Sequence, residues 1–157
     1  MAKLHASLLG IVLVCAFVES SIVPGVWTPL RVDLMLGMIV GVVIHMGFSQ
    51  GLFFVLVSSV ALEAFSGARP GLIPLFYLGV FVVLEFVKDY IYLENAVTQA
   101  FLAAGFFALG AAGSLLLLDI VPPSPEMVPL AVGCVLTGCA GPFMAELVAR
   151  VKYAHGT

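Results

Sequence analysis

Leu34 to Leu62 is a run of 29 consecutive residues without an Asp, Glu, Lys or Arg side chain. A second uncharged run, Ala96 to Leu118, is 23 residues long. A helix of about 20 apolar residues crosses the hydrocarbon core of a bilayer. The whole chain is 62% hydrophobic and only 10% charged, whereas soluble domains average about 25% charged residues. These features exclude a soluble globular domain and predict an integral membrane protein.

The longer uncharged run exceeds what one membrane helix needs. As a single helix it would extend about 43 Å, against a hydrocarbon core of about 30 Å. The segment Gly47–Gly51, with two glycines, a serine and a glutamine, provides turn residues near its centre. We therefore predict two short spans here, and one continuous helix is the alternative. The resulting fold class is one all-α domain, a bundle of six transmembrane helices at about 4–23, 32–46, 50–65, 71–87, 96–118 and 127–149.

The distribution of lysine and arginine predicts the orientation, because cytoplasmic loops of membrane proteins are enriched in these residues. With six spans and the N-terminus inside, four cations lie in the cytoplasm and two outside. The best five-span arrangement, with the N-terminus outside, gives the same ratio. Both arrangements place the C-terminus in the cytoplasm and the turn after the third span outside. In the six-span arrangement the four inner cations are Lys3, Lys88, Arg150 and Lys152, and the two outer ones are Arg31 and Arg69.

The stretch from Glu63 to Leu72 contains most of the sequence-specific information. It reads Glu-Ala-Phe-Ser-Gly-Ala-Arg-Pro-Gly-Leu. Its two glycines can adopt positive φ, and its proline fixes φ near the helical value. The stretch therefore predicts a tight reversal between two spans, in which the Glu63 carboxylate accepts hydrogen bonds from turn amides or from Arg69.

No convergent set of nucleophile, base or metal ligands is recognisable in the sequence. We therefore expect neither enzymatic activity nor a bound cofactor. The net charge of −3 and the lack of a basic patch argue against nucleic-acid binding. The three cysteines, in apolar runs without a Cys-x-x-Cys pair, are interpreted as packing residues.

Small residues recur every fourth position in two of the predicted spans. Such rows let helix backbones approach closely. They indicate packing within the bundle, and the alternative is that part of a row faces a partner protein. The rows are Gly37 and Gly41 in the second span, and Ala100, Ala104, Ala108 and Ala112 in the fifth.

The order of these features resembles the bacterial rod-shape-determining MreD family. Asp33 stands near the start of the second span, as in that family. The third span ends in a carboxylate followed by Ser-Gly and then Gly-Leu. The chain departs from the family pattern in having Glu63 in place of Asp, in the later position of Pro70, and in lacking basic residues at Gly47–Gly51. The resemblance covers about residues 29 to 88, and the matching turn positions are Glu63, Ser66, Gly67, Gly71 and Leu72.

This resemblance implies a non-catalytic scaffold of the cell-elongation machinery in the bacterial inner membrane, with both termini in the cytoplasm. Such a protein binds MreC and links the MreB filament to the elongation peptidoglycan synthases. The family fold also looks like the substrate-binding S component of energy-coupling-factor transporters. An importer component is therefore the alternative function. Against it, Ala2 and Ala6 lie too close to the N-terminus for the Ala-x-x-x-Ala of that class, and the outer loops are short and poor in polar groups.

The six-span topology predicts that Ser49 lies in a cytoplasmic turn. In a cysteine-free background, a Ser49→Cys variant should react with a membrane-impermeant thiol reagent only from the cytoplasmic side. A variant whose introduced thiol is unreactive from both sides would instead support a single helix and five spans.

Overall fold

A computed structural model describes residues 2–17, 32–66, 70–118 and 127–154 of the chain. These residues form six helices and no strand. The prediction of an all-α fold is confirmed for these residues, and the prediction that all six helices are transmembrane stays a prediction. The helices are α1 (Ala2–Phe17), α2 (Leu34–His45), α3 (Phe48–Ser66), α4 (Leu72–Val87), α5 (Ala96–Leu118) and α6 (Met127–Ala154).

Three stretches are long and apolar enough to cross a membrane, namely Phe48–Phe65, Ala96–Gly113 and Val128–Ala154. They belong to α3, α5 and α6. The apolar parts of α1, α2 and α4 are shorter, between 10 and 17 residues. Membrane insertion is therefore supported for part of the bundle by length and composition.

Two helix boundaries differ from those of the predicted spans, and a third predicted boundary lies outside the described residues. The turn expected over Gly47–Gly51 is confined to Met46 and Gly47, because α3 already begins at Phe48 and the Gly51 amide donates to the Gly47 carbonyl oxygen at 2.9 Å. Helix α6 continues to Ala154 instead of ending near residue 149. Its last turns contain a Glu146–Arg150 ion pair at 3.1 Å, which suits a helix extending into polar surroundings. Helix α1 ends at Phe17, and residues 18–23 of the predicted first span lie outside the described ranges.

Helix α2 is the centre of the bundle. It contacts each of the other five helices, and all nine residues from Met35 to Val43 are buried. Its 12 residues extend only about 18 Å. Its helical part alone is shorter than a hydrocarbon core of about 30 Å. The central helix is therefore a buried core helix that is shorter than the membrane is thick.

Helices α2 and α6 pack in parallel through glycine. A Cβ atom built on Gly37 would lie 2.9 Å from the Gly141 Cα atom, and one on Gly41 would lie 2.7 Å from the Ala145 Cα atom. Neither distance leaves room for a methyl group. The Gly37–Gly41 pair thus lies against α6 inside the bundle, where it brings the two backbones together.

Helix α5 packs antiparallel to α6 through the first part of its alanine row. Ala100 and Ala104 face Gly138. A Cβ atom built on Gly138 would lie 3.1 Å from the Ala100 carbonyl oxygen and 3.2 Å from the Ala104 Cβ. The Cys134 thiol also donates to the Ala104 carbonyl oxygen at 3.3 Å. The last two alanines of the row, Ala108 and Ala112, are exposed. The row therefore packs against α6 through its first half.

Helices α3 and α4 form an antiparallel hairpin on α2. The Phe48 and Phe81 ring centroids are 5.8 Å apart. A Cβ on Gly51 would touch both the Phe81 ring at 2.8 Å and Val42 at 3.0 Å. At its opposite end the Gly71 amide before α4 donates a hydrogen bond to the Glu63 carboxylate of α3. Helices α2, α4 and α6 therefore run in one direction, and α3 and α5 run in the other.

The close approach of α2 and α6 predicts a large difference between two glycine substitutions. Gly41→Ala should destabilise the protein by about 1–3 kcal/mol, because its methyl group would overlap the backbone of α6. Gly79→Ala is the control, since nothing lies within 4 Å of a Cβ at this α4 position. It should be neutral or stabilising by up to about 1 kcal/mol. Unfolding of purified protein in mixed micelles provides the measurement, and equal stability of the two variants would contradict the packing.

Candidate functional site

Asp33 occupies the N-cap of the central helix. Its backbone is extended, with φ −112° and ψ 93°, and its Oδ1 atom accepts a hydrogen bond from the Leu36 amide at 3.1 Å. The first four amides of a helix have no partner within the helix, and an Asp side chain at this position satisfies one of them. The aspartate that the sequence placed near the start of the second span thus begins α2.

Two further hydrogen bonds connect Asp33 to other helices. The Tyr77 hydroxyl of α4 donates to the Asp33 Oδ2 atom at 2.8 Å. The Asp33 amide donates to the Thr137 Oγ1 atom of α6 at 3.0 Å. We refer to Asp33, Tyr77 and Thr137 as the Asp33 junction. It joins the start of α2 to the interior of α4 and α6.

The junction is held in apolar surroundings. Thr137 is 0% exposed and Tyr77 is 9% exposed, while Asp33 is partly buried. A buried polar group without a partner costs free energy comparable to its lost hydration. The free-energy cost of burying each of these polar groups is offset only while the helix that carries its hydrogen-bond partner is in place. The junction can therefore fix the relative positions of three helices.

The opposite end of α2 is also bonded to α6. The Lys152 ammonium group donates to the His45 carbonyl oxygen, the last carbonyl of α2. This contact satisfies an acceptor that the helix itself leaves open, and a cation near a helix C-terminus is favourable. Helix α6 thus supplies a polar partner at both ends of the central helix.

The turn between α3 and α4 contains a second carboxylate contact. The Gly71 amide donates to the Glu63 Oε1 atom. Gly71 has φ 90° and ψ −14°, a left-handed conformation that a Cβ atom disfavours. Its carbonyl oxygen accepts the Leu75 amide at 3.1 Å and so begins α4. We call the bonded pair Glu63 and Gly71, together with the end of α3 and the start of α4 that carry them, the Glu63–Gly71 turn.

Several predicted site residues fall outside the described part of this turn. Gly67 and Arg69 lie outside the described residues, and of Ser66 only the backbone, as the last residue of α3, is described. The interaction of Glu63 with Arg69 therefore stays a prediction. The interaction of Glu63 with a turn amide is present at Gly71.

Two members of the junction were not predicted from the sequence. Tyr77 and Thr137 are separated from Asp33 by 44 and 104 residues, so no local spacing connects them. The sequence does, however, show that each of the two is an isolated polar residue in its helix. Tyr77 is the only polar side chain of α4 before Glu85, and Thr137 is the only Ser or Thr in α6. A lone polar group in an apolar helix requires a partner elsewhere in the bundle.

Two ion pairs each join residues that are close together in the sequence. Lys88 bonds to Glu85 three residues before it, and Arg150 to Glu146. In the described ranges, two buried side-chain oxygens lack a hydrogen-bond partner, Ser58 Oγ and Glu85 Oε2. Within the same ranges, no group of three or more His, Cys, Asp or Glu residues could hold a metal ion.

A small apolar hollow lies between α1, α2 and α3. It leaves essentially no space for a molecule the size of water. It is smaller than the roughly 300–1,000 Å³ typical of pockets for drug-sized ligands. Its lining consists of aliphatic and sulfur-containing side chains, which offer little to orient a polar ligand. They are Val12, Cys15, Met35, Met38 and Leu62.

Comparison of the chain with protein-family models, curated proteins and solved structures found no match. The described part of the chain is all-helical, and three of its helices are long and apolar enough to cross a membrane. The resemblance to the MreD family rests on the residues quoted for it above.

The Asp33 junction predicts a specific cost for removing one hydroxyl. Thr137→Val preserves side-chain shape but leaves the Asp33 amide without its acceptor, so it should destabilise the protein by about 1–3 kcal/mol. Thr98→Val, the same exchange at a partly exposed position early in α5, should stay within about 0.5 kcal/mol of the parent. Thermal or denaturant unfolding in detergent measures both. A Thr137→Val protein as stable as the Thr98→Val control would show that the hydroxyl contributes nothing.

Proposed function

We propose that this protein is a non-catalytic scaffold of the bacterial cell-elongation machinery, located in the inner membrane with both termini in the cytoplasm. Its direct partner is MreC, and through MreC it links the MreB filament to the peptidoglycan synthases. The observation that carries the proposal is the Glu63–Gly71 turn. Motif residues on which the MreD resemblance rests, a carboxylate and a glycine before leucine, are bonded to each other there.

The use of polar groups in the bundle supports a structural role. Asp33, Glu63 and Lys152 are each bonded to a group elsewhere in the chain. These bonds hold helix ends and turns in place, which is what a protein that acts through its shape requires. A substrate-binding protein, by contrast, needs several polar groups that converge on an open pocket.

The surroundings of the turn suit a membrane-embedded partner. Phe65, Leu72 and Leu75 flank it with exposed side chains. An apolar surface beside a fixed backbone turn offers packing area to a transmembrane helix, and the turn adds backbone groups at the membrane boundary. The proposed contact with the bitopic MreC lies at this end of the hairpin.

Substitutions in the turn should change partner binding in a defined order. Glu63→Leu removes the acceptor of the Gly71 amide and should weaken MreC binding roughly 10-fold or more, the equivalent of a charge-assisted hydrogen bond. Glu63→Gln retains an acceptor and should be mild. Gly71→Ala forces a Cβ into a left-handed conformation, at a cost of roughly 1–2 kcal/mol, and should also weaken binding. The measurement is co-purification of MreC from membranes at matched protein levels.

Glu146→Leu is the control for lost charge, because Glu146 is exposed on α6, in the last turns of that helix. It should leave co-purification unchanged. If MreC does not co-purify with the parent protein at all, the scaffold proposal fails. Retention of a small molecule near one equivalent through purification would then favour the importer alternative.

A further inference from the structure

We propose that the hydroxyl of Tyr77 is a positioning group that couples the Glu63–Gly71 turn to the α2–α6 pair. Through its bond to Asp33, the hydroxyl fixes the start of α4 and, with it, the Glu63–Gly71 turn that precedes α4. The significance of this coupling for MreC binding rests on the function proposed above. The coupling itself is a property of the chain and can be measured without any partner.

The geometry places Tyr77 where it can transmit position. It lies five residues after Leu72, the first residue of α4, which corresponds to about 7.5 Å along the helix axis. The Gly71 carbonyl is bonded to the Leu75 amide, so the turn and the first turns of α4 form one hydrogen-bonded unit. A displacement of Tyr77 therefore displaces Gly71.

The other end of the contact is a rigid reference. Asp33 caps α2 at Leu36 and is bonded to Thr137 through its own amide. Behind it, Gly37 and Gly41 are in backbone contact with α6. The Asp33 carboxylate therefore presents its Oδ2 atom to Tyr77 from the most tightly packed part of the bundle.

Apolar packing alone does not define the same position. The Phe76 and Tyr77 rings are 5.4 Å apart, and Phe81 lies against Gly51 and α2. Such contacts tolerate small sliding and rotation because they are non-directional. A hydrogen bond of 2.8 Å between a phenol and a carboxylate is directional. It selects one rotation of α4 relative to α2.

Tyr77→Phe tests the coupling, since it removes one oxygen atom and preserves the ring. In the purified protein, amide hydrogen exchange over residues 71–76 should accelerate about 10-fold or more, as expected for loss of a hydrogen bond to a charged group. Exchange in the core of α6 should remain as in the parent. Tyr90→Phe is the matched control, because Tyr90 is 89% exposed in the loop at the far end of α4. It should change neither region.

The Asp33 side of the bond provides a second test. Asp33→Asn keeps one carbonyl oxygen that can accept from the Leu36 amide, and its Nδ2 group can donate to the Tyr77 hydroxyl, so exchange over residues 71–76 should stay near the parent value. In the Asp33→Asn background, Tyr77→Phe should accelerate exchange less than it does with Asp33 present, because the hydroxyl then bonds a neutral amide instead of a carboxylate. Additive effects of the two substitutions would overturn the coupling.

Partner binding distinguishes this inference from the proposed function. If Tyr77→Phe accelerates exchange in the turn and also weakens MreC co-purification, both are supported. Faster exchange with a parent protein that never binds MreC would preserve the coupling and reject the scaffold function. Unchanged exchange over residues 71–76 overturns the coupling even if the parent binds MreC.

Discussion

The rest of the structure depends on which groups form hydrogen bonds with the two ends of one short buried helix, α2. Helix α2 leaves amides at its start and carbonyls at its end that its own hydrogen bonds cannot reach. In an apolar bundle, water does not satisfy such groups at low cost. The Asp33 carboxylate takes the Leu36 amide, and the Lys152 ammonium group takes the His45 carbonyl. The long neighbouring helix α6 thus supplies part of the hydrogen bonds that the ends of α2 require.

The packing of α2 against α6 follows from this requirement. Thr137 and Lys152 are 15 residues apart, about 22 Å along a helix, whereas Asp33 to His45 covers about 18 Å. Side chains tilt toward the N-terminus of their own helix, so the long Lys152 side chain reaches back over the difference. Such reach requires the two backbones to be nearly in contact. Gly37 and Gly41 provide that contact, with no side chain between the helices.

Hydropathy predicted the helices well and their long-range contacts poorly. The bounds predicted for α4 and α5 agree with the structure within one residue, because charge and proline delimit these spans. The Glu63–Gly71 bond connects residues only 8 apart, within reach of local turn chemistry. The hydrogen-bond partners of Asp33 could not be predicted from the sequence, since one hydroxyl in an apolar helix has no periodic pattern. The alanine row shows the same limit, because its spacing could not indicate that Ala100 and Ala104 face α6 while the later alanines are exposed.

The bond between Asp33 and Thr137 also has a consequence for biosynthesis. Its two residues are separated by 104 positions, and the Lys152 contact to His45 by 107. At about 5–20 residues per second, the ribosome completes α6 roughly 5–20 s after α2. During that interval α2 is present without its final neighbour, and both of its ends lack their long-range partners. Nascent chains that stop before α6 would expose such a helix to membrane quality control, because α6 is the helix that completes the packing of α2.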